Sequence, residues 1–324
     1  MKALCALRVP IISTIKPKIV IILGPTGVGK SEVAIRVALE VRGEIISAVS
    51  LQVYRYLEVG TWKPGPEQRQ GVPHHLMDLL DPDEEFNVAL FRDRALRAEE
   101  EIRSRGKNSI VCGGTGLYIK ALIHGLFVGP GRIAEIRKGL EEEMAEKGIG
   151  VLYERLKEVD PDGAASIHPN DRQRILRALE VFGHTGTEMS RWQGDHGFKE
   201  NAFESLKIGL NRERQELYGL IERRCEEMMT RGLVGEVEGL VNRGYSLDLK
   251  PLQSMGYRHI GHYLRGEMSL DEALALMKRD TRRLAKRQLT WFRADQDIHW
   301  FHPEKERKEI LEATKSFLLH SPNS

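Results

Sequence analysis

A glycine-rich octet near the amino terminus constrains this chain more than any other feature. Residues 24–31 read Gly-Pro-Thr-Gly-Val-Gly-Lys-Ser, which fits the phosphate-loop pattern G-x-x-x-x-G-K-[ST]. The apolar run at residues 19–23 predicts a buried strand before the octet, and the apolar spacing over residues 34–41 predicts a helix after it. This strand–loop–helix order predicts an α/β fold, with a phosphate-loop NTPase-like parallel sheet flanked by helices.

The residue types in the octet predict a binding site for a diphosphate or a triphosphate. Its glycines let backbone N–H groups wrap around phosphate oxygens at the start of a helix. Lys30 adds a mobile positive charge, and the hydroxyl of Ser31 can ligate a magnesium ion. The predicted phosphate-binding residues are Gly24, Pro25, Thr26, Gly27, Val28, Gly29, Lys30 and Ser31.

Composition narrows the class of protein and its compartment. The chain has 324 residues, so one large domain or two unequal domains are expected. Its three cysteines, Cys5, Cys112 and Cys225, are too scattered for a disulfide framework or a zinc site, which favours a reducing cytoplasm. No run approaches the ~20 apolar residues of a membrane span, so no membrane partner is expected. Residues 1–17 are predicted to be an N-terminal extension.

One more strand is predicted to end beside the phosphate site, and a further strand leads into a glycine-rich turn for which a tight strand-to-helix connection is the simplest explanation. Gly43 is expected to close the first helix, and residues 44–49 form the next predicted strand. Residues 109–112 form another, which runs into a turn at residues 113–116 that contains Thr115 between glycines. Glycines after a strand permit close backbone approach to a ligand. In phosphate-loop folds the carboxyl ends of such strands are where catalytic groups usually lie.

Three segments lack periodicity and are predicted as loops. Residues 60–64 and 73–78 are turn-rich and polar, so we expect them near the substrate. His74 and His75 lie in the second of these, and no metal-ligand spacing supports a catalytic role for either. Residues 256–258, Gly-Tyr-Arg, are predicted as a third loop.

The middle of the chain departs from the α/β pattern. A Gly-Pro-Gly break at residues 129–131 is followed by a charged, helical pattern without a convincing strand. The predicted organisation is therefore a first core segment at 18–130, an all-helical insertion at 131–200, and a second core segment at 201–324 with a basic C-terminal helix.

That last long helix, predicted for residues 269–293, has two faces. Its apolar positions are expected to pack inward, and Trp291 and Phe292 are expected to anchor its end. A basic stripe at helical spacing is typical of a protein that binds a polyanion. The stripe consists of Arg279, Arg282, Arg283 and Lys286.

With these motifs placed, the chain resembles the tRNA dimethylallyltransferases, also called tRNA isopentenyltransferases. The phosphate loop alone is shared with many kinases and ATPases, whereas the segments HPNDRQR and AKRQLTWFR are far more restrictive. The matching motifs run in family order through most of the chain. They lie at residues 24–31, 50–55, 60–61, 113–118, 168–180, 255–258 and 281–293.

The resemblance implies transfer of a dimethylallyl group from dimethylallyl diphosphate to N6 of the adenosine beside the anticodon of tRNA. It implies Mg²⁺ as cofactor, and we expect a cytoplasmic monomer. The implied catalytic residues are Thr115 near the reacting centre, and Lys30 and Arg224 on the diphosphate. The segments that match tRNA-binding segments of the family contain Val49, Ser50, Leu51, Gln52, Arg137, Gln173, Arg174, Ile175, Leu176, Arg177, Gln253, Ser254, Met255, Gly256, Tyr257 and Arg258.

One position departs from the family pattern at a chemically important place. The family has an aspartate, its proposed general base for N6, where this chain has Val49. Valine cannot take a proton, and the nearest acids in sequence, Glu44 and Glu58, are several residues away. A smaller departure is Leu284, where the family usually has an aromatic residue, and this change is expected to alter only packing.

Three hypotheses follow from these observations. The first is an active tRNA prenyltransferase whose proton transfer is weakened or rerouted, since loss of a general base typically costs ~10²–10⁴-fold in rate. The second is a tRNA-binding relative that no longer turns over. The third is a nucleotide kinase, which would need an acidic residue after the second or third strand and would leave the basic helix unexplained.

Overall fold

The computed structural model describes residues 16–126, 131, 133–196 and 201–320. Contacts divide the chain into two compact units, of which the first comprises Met1–Ile123 with Ala202–Ser324 and the second His124–Asn201. Residues 1–15 of the predicted N-terminal extension lie outside the described residues, as does most of the predicted break at 129–131.

A six-stranded parallel sheet runs through the first unit and confirms the predicted α/β class. Its strands are β1 (Lys18–Leu23), β2 (Gly43–Ser47), β3 (His74–His75), β4 (Asn108–Gly113), β5 (Glu204–Leu210) and β6 (Ile298–Phe301). Their order across the sheet is β3-β2-β4-β1-β5-β6. Parallel neighbours require crossover connections, which here are made by helices.

Fourteen helices are found in the described part of the chain. In the first unit they are α1 (Lys30–Val41), α2 (Pro66–Arg69), α3 (Val88–Ser104), α4 (Gly116–His124), α10 (Arg214–Thr230), α11 (Leu233–Asn242), α12 (Tyr257–Leu264), α13 (Leu270–Arg293) and α14 (Arg307–Leu319). Helix α4 runs one residue into the second unit. The remaining helices of the second unit are α5 (Ala134–Lys147), α6 (Ile149–Val159), α7 (Pro161–Ser166), α8 (Arg172–Thr185) and α9 (Met189–His196).

Strand β1 is apolar along most of its length because both of its faces are covered. It lies between β4 and β5, and residues from Ile19 to Leu23 are at most 1% exposed. Strands buried on both faces of a parallel sheet are expected to be continuous apolar runs rather than alternating ones. The phosphate loop therefore begins at the end of a strand that is buried on both faces and paired along both edges.

The carboxyl ends of three adjacent strands bring the predicted site segments together. Strands β2, β4 and β1 are neighbours, and they lead into residues 48–52, residues 114–116 and the phosphate loop, respectively. Because the strands are parallel, these three segments lie along one edge of the sheet. That edge is where ligands bind in open α/β sheets.

The second unit has its own core and contains no strand among its described residues. Leu152, Leu156, Ile175 and Leu176 are completely buried in it. Helix α8 begins after Asp171, because the side chain of this residue accepts a hydrogen bond from the Arg174 N–H and caps the helix.

Two expectations about the first helix and the second strand are wrong. Arg42 rather than Gly43 adopts the left-handed conformation after α1, with φ of 52°. Gly43 instead begins β2, where a Cβ would lie 2.8 Å from Cδ1 of Ile110, so the glycine serves close strand packing. Strand β2 also ends at Ser47, two residues before the predicted end, which leaves Val49 in a turn.

Two predicted loops contain regular structure. His74 and His75 pair with Ile45 and Ile46 as the edge strand β3, a pairing too short for periodicity to reveal. The Gly-Tyr-Arg segment begins a helix at Tyr257, directly after Gly256 with φ of 89°. A positive φ at that glycine redirects the chain into α12.

Two further sequence expectations concern membranes and cysteines. Within the part of the chain that the structure describes, no helix combines the length and apolar character that a membrane crossing requires. Cys112 and Cys225 are free and buried in the first unit. Cys5 lies outside the described residues.

Candidate active site

A cavity of about 980 Å³ opens at the carboxyl edge of the sheet in the first unit. Its walls come from the phosphate loop, the ends of β2 and β4, the loop at residues 60–64, and helices α10 and α13. Ligand sites of small molecules typically occupy about 300–1,000 Å³, so this cavity is at the upper end of that range.

The phosphate loop forms one wall of the cavity through its backbone. Gly27 and Gly29 have φ of 81° and 105°, a conformation that side chains rarely adopt. A Cβ on Gly27 would also lie 2.9 Å from Cγ1 of Ile221 on α10. Because of these glycines, the chain turns tightly into α1, and Gly27, Gly29, Lys30 and Ser31 line the cavity.

Two partly buried cations, Lys30 and Arg224, face this cavity without an ion pair among the described residues. Burial, with a smaller contribution from the positive charge of Arg224, lowers the pKa of Lys30 to about 8. Burial likewise lowers the pKa of Arg224 to about 10. Among the described residues neither forms an ion pair, and Lys30 Nζ donates to the Pro25 carbonyl at 2.7 Å. Two desolvated like charges beside backbone N–H groups favour a bound anion.

Thr115 lies beside the end of β2, as its place after β4 predicts. Its N–H donates to the Ala48 carbonyl at 3.2 Å, and its Oγ1 accepts from the Ser50 N–H at 3.3 Å. Val49 is flanked by these two bonded residues and lines the same cavity. The structure therefore brings Thr115, Val49, Lys30 and Arg224 to one site.

No carboxylate lies where the family's general base would be. Among the described residues that line the cavity, only Glu32 and Glu227 are acidic, and both are exposed. Glu44 is not available, because it is buried away from the cavity and bonded to His75 and Arg105, each at 2.7 Å. These contacts also give His75 a structural role, as the sequence predicts.

Trp62 is a part of the site that the sequence analysis did not single out. It lines the cavity and has φ of 53°, which is unusual for a bulky residue. The guanidinium groups of Arg224 and Arg231 lie 5.0 and 4.8 Å from the centre of its ring. These cation–π contacts hold Arg224 in place without neutralising it.

Glu236 on α11 is a second residue that the sequence did not reveal, because it belongs to no motif. Its carboxylate accepts hydrogen bonds from the N–H groups of Glu58, Val59 and Gly60, at 3.1, 2.7 and 3.1 Å. It also accepts the hydroxyl of Tyr257 at 2.6 Å. One carboxylate thus fixes the loop that carries Trp62 into the cavity.

The described residues offer a magnesium ion a single side-chain ligand beside the phosphate loop. Ser31 lines the cavity beside Lys30 and offers one oxygen ligand. Across the described residues, no group of three His, Cys, Asp or Glu side chains could hold a metal ion. Mg²⁺ often keeps its waters and binds through substrate phosphates, so a single hydroxyl is a sufficient protein contribution.

The segments predicted to bind tRNA differ in exposure. In the first unit, Ser50 and Leu51 are partly exposed, and Gln253 is exposed. Tyr257, however, is completely buried, and Gln52 is 4% exposed and accepts a hydrogen bond from Ser47 at 2.9 Å. Of the other members of these segments, Ser254, Met255 and Arg258 are partly exposed and Gly256 is buried.

In the second unit, direct contact through Arg137, Ile175 or Leu176 is not supported. Ile175 and Leu176 are core residues with no exposed surface. Arg137 is 7% exposed, lies within ion-pair distance of Glu141 and Glu180, and donates to Gln173 at 2.8 Å. Of the other members of the segment, Gln173 and Arg174 are exposed and Arg177 is partly exposed.

The basic stripe on α13 is partly neutralised by acids. Arg279 and Arg283 lie within ion-pair distance of Asp280, and Arg282 pairs with Glu222. The exposed cations of α13 for which the described residues provide no ion pair are Lys286, Arg287 and Arg293. Both Trp291 and Phe292 are expected to anchor the end of this helix, but only Phe292 is buried, whereas Trp291 is 45% exposed. Leu284 lines the cavity.

Comparison with known proteins places the chain among tRNA-modifying enzymes. A family model described as IPP transferase matches residues 52–295, and one described as isopentenyl transferase matches residues 17–79. The tRNA dimethylallyltransferase 2 of Geotalea uraniireducens is 51% identical over 290 residues, which cover 89% of this chain and 94% of the relative. The tRNA dimethylallyltransferase of Geobacter sulfurreducens is 51% identical over 285 residues, covering 88% and 92%.

Solved structures agree with these sequence relatives. The full-length tRNA isopentenylpyrophosphate transferase of Bacillus halodurans has a TM-score of 0.69 and 39% identity, covering 94% of this chain and 100% of its own. A eukaryotic dimethylallyltransferase acting on tRNA has a TM-score of 0.75 and 29% identity, covering 93% and 77%. The prenyltransferase hypothesis is thereby confirmed over the kinase and the silent binding module. The chain belongs to the tRNA dimethylallyltransferase family of transferase enzymes.

Proposed function

We propose that the cavity binds dimethylallyl diphosphate and transfers its prenyl group to N6 of the adenosine beside the anticodon of a tRNA. The observation that carries this proposal is the pair of partly buried cations, Lys30 and Arg224, which line the cavity beside the phosphate-loop backbone and have no ion pair among the described residues. A diphosphate supplies the negative charge that this part of the site lacks. Met228, Met255 and Leu284 offer apolar walls for a five-carbon chain.

The proposed reaction breaks the bond between C1 of the donor and the diphosphate oxygen and forms a bond between C1 and N6. Negative charge builds up on the leaving diphosphate, where Lys30, Arg224 and the loop N–H groups stabilise it. Thr115 is positioned to contact the reacting centre, since it lies at the junction of β2 and β4. The base must be extruded from the tRNA loop to reach a cavity of this kind.

The proton that N6 loses must leave without a carboxylate at position 49. Val49 has no acceptor, and the two acidic residues of the cavity wall, Glu32 and Glu227, are exposed. The proton therefore passes to water or to the leaving diphosphate. This predicts a slower chemical step than that of a relative with an aspartate at the same position.

Magnesium has a restricted role in this proposal. Ser31 is the residue that would hold the ion, and the diphosphate and water would provide its other ligands. When bound, the ion adds positive charge beside the diphosphate. Lys30 and Arg224 remain the protein's own contribution to holding the leaving group.

We assign RNA binding to exposed residues of the matching segments and of α13. In the first unit these are Gln253 and the unpaired cations Lys286, Arg287 and Arg293, and in the second they include Gln173 and Arg174. We also propose that the enzyme is a cytoplasmic monomer. Light scattering of the purified protein tests the monomer directly.

Single-turnover transfer of a labelled prenyl group to an anticodon stem-loop tests the proposed function. The expected result is label on N6 of the adenosine beside the anticodon, dependent on Lys30. A stem-loop that binds but never acquires label would support the silent binding module instead. Phosphate release from ATP at a comparable rate would support a kinase or an ATPase.

A further inference from the structure

One side chain on α13 joins the phosphate loop to the turn that carries Thr115. The Gln288 carboxamide accepts a hydrogen bond from the Thr26 N–H at 2.8 Å and donates one to the Gly114 carbonyl at 2.9 Å. Both distances are those of well-formed hydrogen bonds. Gln288 also lines the cavity, so this bridge lies at the site itself.

The turn after β4 is shaped to receive two side chains of α13. A Cβ on Gly114 would lie 2.5 Å from Nε2 of Gln288, and a Cβ on Gly116 would lie 2.2 Å from Nε1 of Trp291. Neither glycine has a left-handed φ, so what each provides is space for a neighbour. Gln288 and Trp291 are three residues apart and therefore on one face of the helix. Thr115 lies between the two contacts.

The bridge occupies the N–H of one predicted phosphate-binding residue, Thr26, and none of the N–H groups that follow it in the loop. The Thr26 N–H is satisfied by Gln288, whereas Gly27, Gly29, Lys30 and Ser31 follow it along the cavity wall. A protein acceptor at the beginning of the loop fixes its path without occupying the later N–H groups. The carbonyl of Gly114 is fixed at the same time, on the opposite side of Thr115 from Trp291.

We propose that Gln288 is a positioning residue, which holds the phosphate loop and Thr115 in the mutual arrangement that prenyl transfer requires. The proposal rests on the proposed function for its catalytic consequence, but the bridge itself can be tested without activity. Because α13 also carries Lys286, Arg287 and Arg293 on its exposed side, the donor site is built onto the helix to which we assign RNA binding. A misplacement of about 1 Å in such an arrangement can cost on the order of 10²-fold in rate.

Three variants of the full chain separate this role from simple packing. Gln288→Met keeps the length of the side chain and removes both hydrogen bonds. Gln288→Glu keeps an acceptor for the Thr26 N–H but places a carboxylate against the Gly114 carbonyl. Thr290→Ala is the control, because Thr290 is an exposed residue of the same helix whose side chain, among the described residues, bonds only to the Lys286 carbonyl.

The decisive measurement is amide hydrogen exchange at Thr26 in the protein without donor or RNA. We expect faster exchange in Gln288→Met, protection retained in Gln288→Glu, and no change in Thr290→Ala. In single-turnover transfer, Gln288→Met should be slower by about 10–10²-fold, with stem-loop affinity within about twofold of the original, since no RNA phosphate contact is removed.

Two results would overturn the proposal. Unchanged exchange at Thr26 in Gln288→Met would show that the bridge does not hold the loop. Faster exchange throughout α13, with loss of stem-loop affinity, would show that Gln288 merely packs the helix. Should the methionine variant fail to fold, Gln288→Glu must still transfer more slowly while keeping Thr26 protected. A lack of transfer by the unchanged protein would count against the proposed function, whereas the exchange experiment would still decide the bridge.

Discussion

The first unit contains two sets of cations that differ in how their charge is balanced. Lys30 and Arg224 face the cavity, are desolvated, and have no carboxylate within ion-pair distance among the described residues. Arg279, Arg282 and Arg283 lie on α13, are partly or well exposed, and each is close to an acid. Both sets are basic in sequence, but only the structure separates them.

This difference in charge balance indicates which cations favour the binding of a compact anion. The pKa of both cavity cations is lowered, so their charged forms cost free energy until a ligand provides negative charge. On α13 the charges are already balanced within the protein. Desolvation raises the pKa of Asp280, but hydrogen bonds from Arg279, His259 and Arg258 outweigh this effect and lower the pKa to about 2. A diphosphate suits the first set, whereas the long-range field of RNA suits the other exposed cations of α13, Lys286, Arg287 and Arg293, for which the described residues provide no ion pair.

The largest expected effect is on the cavity side. Lys30→Ala should reduce affinity for dimethylallyl diphosphate by at least about 10²-fold, because a desolvated charge-assisted contact is lost. Calorimetry with donor in the absence of RNA checks this. Equal donor binding by the two proteins would remove Lys30 from the diphosphate site, and the exposed control Lys286→Ala should bind donor as the original does.

The same lysine predicts a pH dependence with a definite sign. Its pKa is about 8 in the free folded protein and higher, near 10.5, when it is exposed to water. Above pH 8 the free protein has lost the proton that donor binding needs, so affinity should fall by up to about tenfold per pH unit. Lys30→Arg, which stays charged, should lose this dependence.

The next effect concerns Val49. Val49→Asp should raise the single-turnover transfer rate by about 10²–10⁴-fold, with little change in donor affinity, because a base acts on N6 mainly in the transition state. Val49→Asn is the matched control, as it adds a polar group that cannot take the proton. Equal, fast rates in all three proteins would mean that proton transfer does not limit the reaction.

On α13 the expected effect is smaller and depends on salt. Reversal of Lys286, Arg287 and Arg293 to glutamate should weaken stem-loop binding and flatten the slope of log affinity against log salt. Each lost phosphate contact should contribute roughly 0.7–0.9 to the slope. Donor affinity should be unchanged. An unchanged salt slope would show that these three residues form an ordinary solvated face.

The smallest expected effect comes from removing the acidic partner of one cation on α13. Glu222→Gln removes the partner of Arg282, a partly exposed pair that contributes about 0–1 kcal/mol to stability. The thermal midpoint should therefore barely change, while stem-loop affinity at low salt should rise by roughly two- to fivefold. Weaker RNA binding would indicate that the pair orients Arg282 for its contact.

The sequence predicted the donor side well because its determinants are local. The apolar run before Lys30, the glycines of the loop and the helical spacing after it are contiguous, and each acts through short-range geometry. The position of Thr115 also followed, since a strand end and its glycines predict a turn at the edge of the sheet. The absence of an acid at position 49 could likewise be read directly.

The features of the site that the sequence did not predict depend on contacts between segments that are distant in sequence. Glu236 holds a loop more than 170 residues away in sequence, and Gln288 bonds to Thr26 at a separation of 262 residues. Periodicity predicted the face of α13 but not that Glu222 and Asp280 would neutralise part of its stripe. For the same reason the sequence predicts Trp291 as an apolar anchor at the end of this helix, although it is 45% exposed.

Mass spectrometry of tRNA nucleosides tests the central claim most directly. The chain, and its Lys30→Ala variant as control, would be expressed in cells that lack their own tRNA dimethylallyltransferase. We predict that N6-dimethylallyladenosine, or a product derived from it, returns with the original chain and is absent with the variant. Its absence in both, from cells in which the expressed chain still binds tRNA, would contradict the claim and show that Val49 marks a protein that keeps the fold without the chemistry.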